Sequence, residues 1–155
     1  MGPTSIRFEF DQPGREYDCE AENSAYESAK ATCSGTASSS DEYDENLHVV
    51  EGDEVDPLEA INSWSSEALD LNQAAAGNLY LSSYNISNFA NLAWDTHTKF
   101  GCAVVKCDSG KIHLVCHYAP KVQKEGEQIY ETGEPCAGCR EDECFEDEGL
   151  CYKKL

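Results

Sequence analysis

The sequence predicts an α+β domain that opens with helices, turns to a β-hairpin and ends in a cysteine-stapled tail. Three observations predict it. Small apolar residues recur every three or four positions up to about residue 99, the period drops to two over residues 102–118, and four of the nine cysteines crowd the polar stretch beyond Pro120. At 155 residues the chain is one domain, and a domain of roughly 150 residues buries about 68–70% of its chain surface, so a core need not depend on cross-links.

Taken in order, Ile6–Phe10 reads as a short strand. Asp18 is placed to cap a helix whose inner positions are Ala21, Ala25 and Ala29, with Cys19 and Cys33 at its two ends. The Ser-, Gly- and acid-rich stretch 34–44 is then a loop. A second helix starts with Asp56 as cap, Pro57 at the first helical position and Glu59 three after the cap, and carries Leu58, Ile61, Trp64 and Ala68 on one stripe. A third helix is predicted over 87–99, with Phe89, Leu92, Ala93 and Thr96 inward. Residues 102–107 and 112–118 are the arms of a hairpin around Asp108-Ser109-Gly110. Trp64 and Trp94 sit on helical stripes as core residues, while Tyr80, Tyr84 and Phe89 either line a groove or join the core.

The charge excludes whole classes of partner. With 11 Lys and Arg against 30 Asp and Glu, the formal charge is −19, which sets the surface against phosphate backbones and anionic lipid, so neither nucleic acid nor an anionic membrane is a partner. No apolar run approaches the roughly 20 residues of a membrane span. Residues 16–59 hold 14 acids and 125–148 hold ten, whereas 99–124 has five lysines and Asp108 as its one acid. Most of these acids are solvated surface, and together they form two acidic flanks around a mildly basic hairpin.

Nine cysteines, Cys19, Cys33, Cys102, Cys107, Cys116, Cys136, Cys139, Cys144 and Cys151, point to an oxidising compartment and to disulfides whose partners the spacing does not reveal. Cys136-x-x-Cys139 with Cys144 and Cys151 also has the look of a thiolate zinc site or a redox pair. The six intervening acids between Glu141 and Glu148 disfavour a reactive thiolate, and there is no second Cys-x-x-Cys, so cross-links are the reading adopted. Asn85-Ile86-Ser87 is the one glycosylation sequon, equally suited to helix capping. Four strand residues put His113 and His117 roughly 13 Å apart on one face, too far to share an ion. His48 is taken as a strand-end residue and His97 as a helix-surface one.

At the third helix and hairpin the residues become specific. Ala93-Trp94-Asp95-Thr96, Gly101-Cys102-Ala103-Val104-Val105 and Val115-Cys116-His117-Tyr118-Ala119-Pro120 resemble the CAP superfamily of cysteine-rich secretory, venom-allergen and pathogenesis-related proteins. Gly133-Glu134-Pro135-Cys136, Cys139 and Gly149-Leu150-Cys151 are similar to the tail of its nematode activation-associated secreted, or venom-allergen-like, group. Tyr17-Asp18-Cys19 resembles the start of an early family helix, and Glu45-Asn46-Leu47 the family's Gly-Glu-Asn motif with Asp44 in place of Gly. The resemblance implies a three-layer α-β-α sandwich, secreted and disulfide-bonded, with a divergent segment at 1–16, the CAP domain at 17–122 and the cysteine-rich tail at 123–155.

Departures from the family bear on function. Members with the ancestral site set two histidines and two glutamates around a cavity that binds a divalent metal. Glu45 and Glu67 match the glutamates, but one histidine position falls among Ala37 and Ser38 and the other is Asn88. Two carboxylates and an amide lack the imidazoles that hold zinc, so Glu45, Glu67 and Asn88 are expected to be cavity relics, without metal or cofactor and without a catalytic role. Val122-Gln123 replaces the family's usual Gly-Asn, and residues 1–16 lack its opening helix. That gap, the odd ninth cysteine and the lack of an export leader together lead to the expectation that an N-terminal part has been lost or replaced. The function expected is a secreted, non-enzymatic binding protein of a parasitic nematode, a host-interaction or immunomodulatory factor whose acidic flanks meet a basic-surfaced extracellular protein. The alternative is a sterol or fatty-acid carrier.

Overall fold

The computed structural model describes residues 15–36, 40–71 and 78–130, together with the backbone of 144–145 and 150–151. The strand expected at residues 6–10 and the tail residues Cys136 and Cys139 lie outside the described residues.

Helix α1 spans Cys19–Cys33, and Asp18 caps it by accepting a hydrogen bond from the Glu20 amide at 3.3 Å. Its acids Glu20 and Glu22 stand in the first turn and Lys30 in the last, matching the helix dipole. Ala21, Ala25 and Ala29 are fully buried, as the four-residue spacing predicts. Strand β1 (Glu16–Tyr17) precedes it, and β2 (Asp44–Glu51), β3 (Lys99–Lys106) and β4 (Lys111–Ala119) complete a sheet of order β1-β3-β4-β2. β1 runs parallel to β3, and the other pairs are antiparallel.

The faces of the sheet follow from strand alternation. On one side Ala103 and Val115 meet Ala25 and Ala29 of α1. On the other, Phe100, Cys102, Leu114, Cys116 and Tyr118 pack against Ala60 and Trp64 of helix α2 (Pro57–Ser66). Helix α3 (Ser87–Ala93) joins α2 on that side and reaches β2. These are the three layers. A second core gathers Leu71, Tyr80, Ile86, Ala90, Trp94 and Ile129, with Tyr84 and Phe89 packed against it, so the aromatic cluster belongs to the interior and not to an open groove.

Three local expectations are corrected. α2 starts as predicted, with Asp56 accepting from the Leu58 amide at 2.9 Å. Its buried stripe, however, is Ala60 and Trp64, while Leu58 is 60% exposed and Ala68 lies in a 3-10 turn, Glu67–Asp70, that tightens the helix end. α3 stops at Ala93, six residues short of Lys99, and Thr96 is exposed. The reason is Arg15, whose guanidinium donates to the carbonyls of Leu92 at 2.8 Å, Trp94 at 2.6 Å and His97 at 3.3 Å, satisfying acceptors that a continuing helix would have used. His97 is consequently not on a helix surface but in the interior, 2% exposed.

Candidate functional site

Two polar clusters lie on opposite faces of the sheet. On the α2–α3 side, Glu67 closes the start of α3. That helix has Ile86 at its cap position and no side-chain cap of its own. Glu67 supplies it from 20 residues upstream: Oε1 accepts from the amides of Asn88 at 2.9 Å and Phe89 at 3.2 Å, and Oε2 from Asn88 Nδ2 at 2.9 Å. α3 thus has a carboxylate at its positive end and the Arg15 guanidinium at its negative end, the arrangement its dipole favours.

Beside this link runs a buried network that sequence reasoning missed. Asn46, fully buried, donates to the Asn88 carbonyl at 3.1 Å and accepts from Asn91 at 2.9 Å. Gln123 donates to Asn91 Oδ1 at 2.9 Å and to the Ser87 carbonyl at 2.8 Å. His97 is held between two acceptors, the Asn91 carbonyl at 3.1 Å and the Asp44 carboxylate at 2.8 Å, and stacks on the buried Tyr118, whose phenol burial pushes well above its ordinary pKa. Asp44 also accepts from the backbone amides of Val122 at 2.8 Å and Gln123 at 3.0 Å. The two departures from family pattern noted in the sequence, Asp44 and Val122-Gln123, are therefore one contact.

Burial pushes the Asp44 carboxyl up, but the hydrogen bonds from His97, Val122 and Gln123 outweigh it and leave the pKa below the ordinary value. A carboxyl depressed on folding contributes stability above its unfolded pKa of about 3.9 and loses it as pH falls through the folded value. Asp44→Asn is expected to cost about 1.5–3 kcal/mol at pH 7, the range for hydrogen bonds to a charged group. Urea unfolding from pH 7 to pH 3 should show that deficit shrinking below about pH 4. A deficit constant over this range would mean that the charge plays no part.

On the α1 side, Glu45 faces His117 across β2 and β4. Its Oε2 lies 2.7 Å from His117 Nε2 and accepts from the Ser28 hydroxyl. His117 Nδ1 meets Ser24 Oγ at 2.9 Å, and the ring, 1% exposed, stacks on Tyr43. Glu67 and Asn88 are thus brought together, while Glu45 turns its carboxylate to the other side of the sheet. His48 lies within β2, edge-on to Trp64, rather than at a strand end, and His113 sits against Thr32.

This arrangement does not fit the family's divalent metal. Both oxygens of Glu67 are engaged at the start of α3, and Glu45 is directed to α1. Among the described residues the one set of three clustered ligand atoms is Cys33, Cys107 and His113, and its two sulfurs are bonded to each other. Among the described residues the disulfides are Cys33–Cys107, which ties the end of α1 to the end of β3, and Cys102–Cys116, which joins facing residues of β3 and β4. Cys19 is free and exposed, so the cysteines at the two ends of α1 differ in state. Cys144 and Cys151 lie opposite each other in a two-residue ladder of β5 (Cys144–Phe145) and β6 (Leu150–Cys151). Asn85 is exposed and ends the 3-10 turn Ser82–Tyr84 rather than capping α3.

Comparison with known proteins follows the same lines. The model of the cysteine-rich secretory protein family (CAP) matches residues 13–118. Hookworm platelet inhibitor 1 of Ancylostoma caninum is 46% identical over 124 residues, 79% of this chain and 58% of that protein. The chain thus spans little more than half the length of that relative. The crystal structure of hookworm platelet inhibitor superposes with a TM-score of 0.71 at 39% identity, covering 94% of this chain and 79% of that one. A crystal structure of NaASP2 with Zn2+ gives 0.68 at 29% identity, covering 96% and 79%. Among the described residues no helix is long and apolar enough to cross a membrane.

Proposed function

The chain belongs to the cysteine-rich secretory protein family, and from that premise we propose that it is a secreted, non-enzymatic binding protein that engages a host extracellular protein through electrostatic complementarity. The observation that carries this reading is the use to which the family's cavity residues are put. Glu67 and Asn88 fasten a helix start, and Glu45 joins α1 to the sheet, so these positions act as structural links. What remains for function is surface: a charge of −19 on a scaffold tied by disulfides. Such a surface steers encounter with a basic partner and weakens as salt screens it. The likeness to a hookworm platelet inhibitor supports a host-facing role and suggests the assay.

Labelled protein should bind washed platelets saturably in isosmotic medium, with sucrose replacing salt, and the apparent Kd should rise several-fold as ionic strength goes from about 0.05 to 0.15 M. Affinity unchanged across that range would remove the acidic surface as the contact. Among the described residues, the crevice between Arg15, Ile61, Trp64, Leu92, Phe100 and Tyr118 holds about 10 Å³, room for about one water, so this crevice is not where a sterol or fatty acid would sit.

A further inference from the structure

We propose that Asn85 carries an N-linked oligosaccharide, attached before the chain folds. Asn85-Ile86-Ser87 is the one Asn-x-Ser/Thr sequence in the chain. Asn85 is exposed and takes the left-handed conformation, φ 54° and ψ 43°, at the end of the 3-10 turn Ser82–Tyr84. A bulky hydrophilic group on an exposed residue at such a turn extends into water.

The timing comes from the other two residues. Ile86 is fully buried in the second core, and Ser87 is the first residue of α3, with its hydroxyl 3.4 Å from Gln123 Oε1. A transferase must hold the asparagine amide and the serine hydroxyl together on an accessible segment. The folded chain buries Ile86 and fixes the half-buried Ser87 in the first turn of α3, so the segment cannot extend into a transferase and the nascent chain is the substrate. In the transfer the asparagine amide nitrogen displaces the lipid pyrophosphate from the sugar's anomeric carbon, and the amide proton is lost. The oligosaccharide then stands at the α3 end of the α2–α3 layer, three residues before the Asn88–Glu67 link, and leaves the α1 side of the sheet clear.

This inference rests on entry into the secretory route, which the binding reading also requires. The chain is therefore made behind a heterologous leader in insect cells, recovered from the medium, and its intact mass read before and after peptide N-glycosidase. Expected are loss of a glycan mass with conversion of Asn85 to Asp, a single unmodified mass for Asn85→Gln and Ser87→Ala, and retained glycan for Ser87→Thr. Chain made in bacteria, which carries no glycan, should be modified by detergent-opened microsomes when presented reduced and unfolded, and should not be once refolded and oxidised. An unmodified mass in the medium overturns the site, and modification of the folded chain overturns the timing. Either result leaves the salt-dependent binding test standing, so the two readings can fail separately.

Discussion

Gly101→Ala is expected to destabilise the protein by more than about 3 kcal/mol, at or beyond the upper end for an inserted methyl group. A Cβ built at Gly101 would lie 2.3 Å from the Glu22 amide nitrogen, 2.6 Å from the Asp18 carbonyl oxygen and 2.8 Å from the Ala21 carbonyl carbon. All three are backbone atoms of the first turn of α1, so no flexible side chain can move aside. Relief requires lifting the helix from the sheet. That movement would stretch the bond from the Asp18 amide to the Phe100 carbonyl, 2.8 Å long, and open the contact of Ala25 and Ala29 with Ala103 and Val115. The apolar part of that contact is three alanines and a valine, which cannot fill the gap. Gly110→Ala is the control, since Gly110 has φ +86° and open space around it, and should lose only about 1–2 kcal/mol to left-handed strain. Urea unfolding under non-oxidising, non-reducing conditions reads both, and a Gly101→Ala loss no greater than that of the control would refute the close approach as the constraint.

The same contact shows where sequence is informative. The spacing of Ala21, Ala25 and Ala29 is a local signal, and so is Asp56-Pro57 with Glu59, because a helix face and a helix start are each written within one or two turns. The hairpin is legible for the same reason, its period being two over adjacent segments. The end of α3 is not local: it is set by Arg15, 77 to 82 residues away in sequence. Glu45 and Glu67, paired by family resemblance, part company because Glu45, in register with His117 on β2, turns to α1, whereas Glu67 stands in the turn after α2 on the other side of the sheet. Asp44 and Val122-Gln123 stood out as departures, yet their union needed the fold to bring residues 78 and 79 positions apart within hydrogen-bonding distance. Polar residues buried with their partners look, in sequence, like the solvated acids and amides around them.

Replacing both Cys33 and Cys107 by alanine is expected to cost about 4.5 kcal/mol, against about 3 kcal/mol for the Cys102 and Cys116 pair. The two bridges close loops of very different length, with sequence separations of 74 and 14. Each limits the unfolded chain by the entropy of its closed loop, which grows with the logarithm of loop length, so the longer loop gives the larger stabilisation. Local packing runs the other way. Cys102 and Cys116 both belong to the core around Trp64, and removing their sulfurs leaves a gap there, while Cys33 is only half-buried at the end of α1. Stability loss alone therefore mixes two causes, and the denaturant slope separates them. If the unfolded chain is the main target, the Cys33/Cys107 variant exposes more surface on unfolding and its m-value rises more than that of the Cys102/Cys116 variant. Guanidinium unfolding without reductant gives both quantities. Equal m-values, with the greater loss in the Cys102/Cys116 variant, would place the contribution of the bridges in the packed sheet and not in the loop they close.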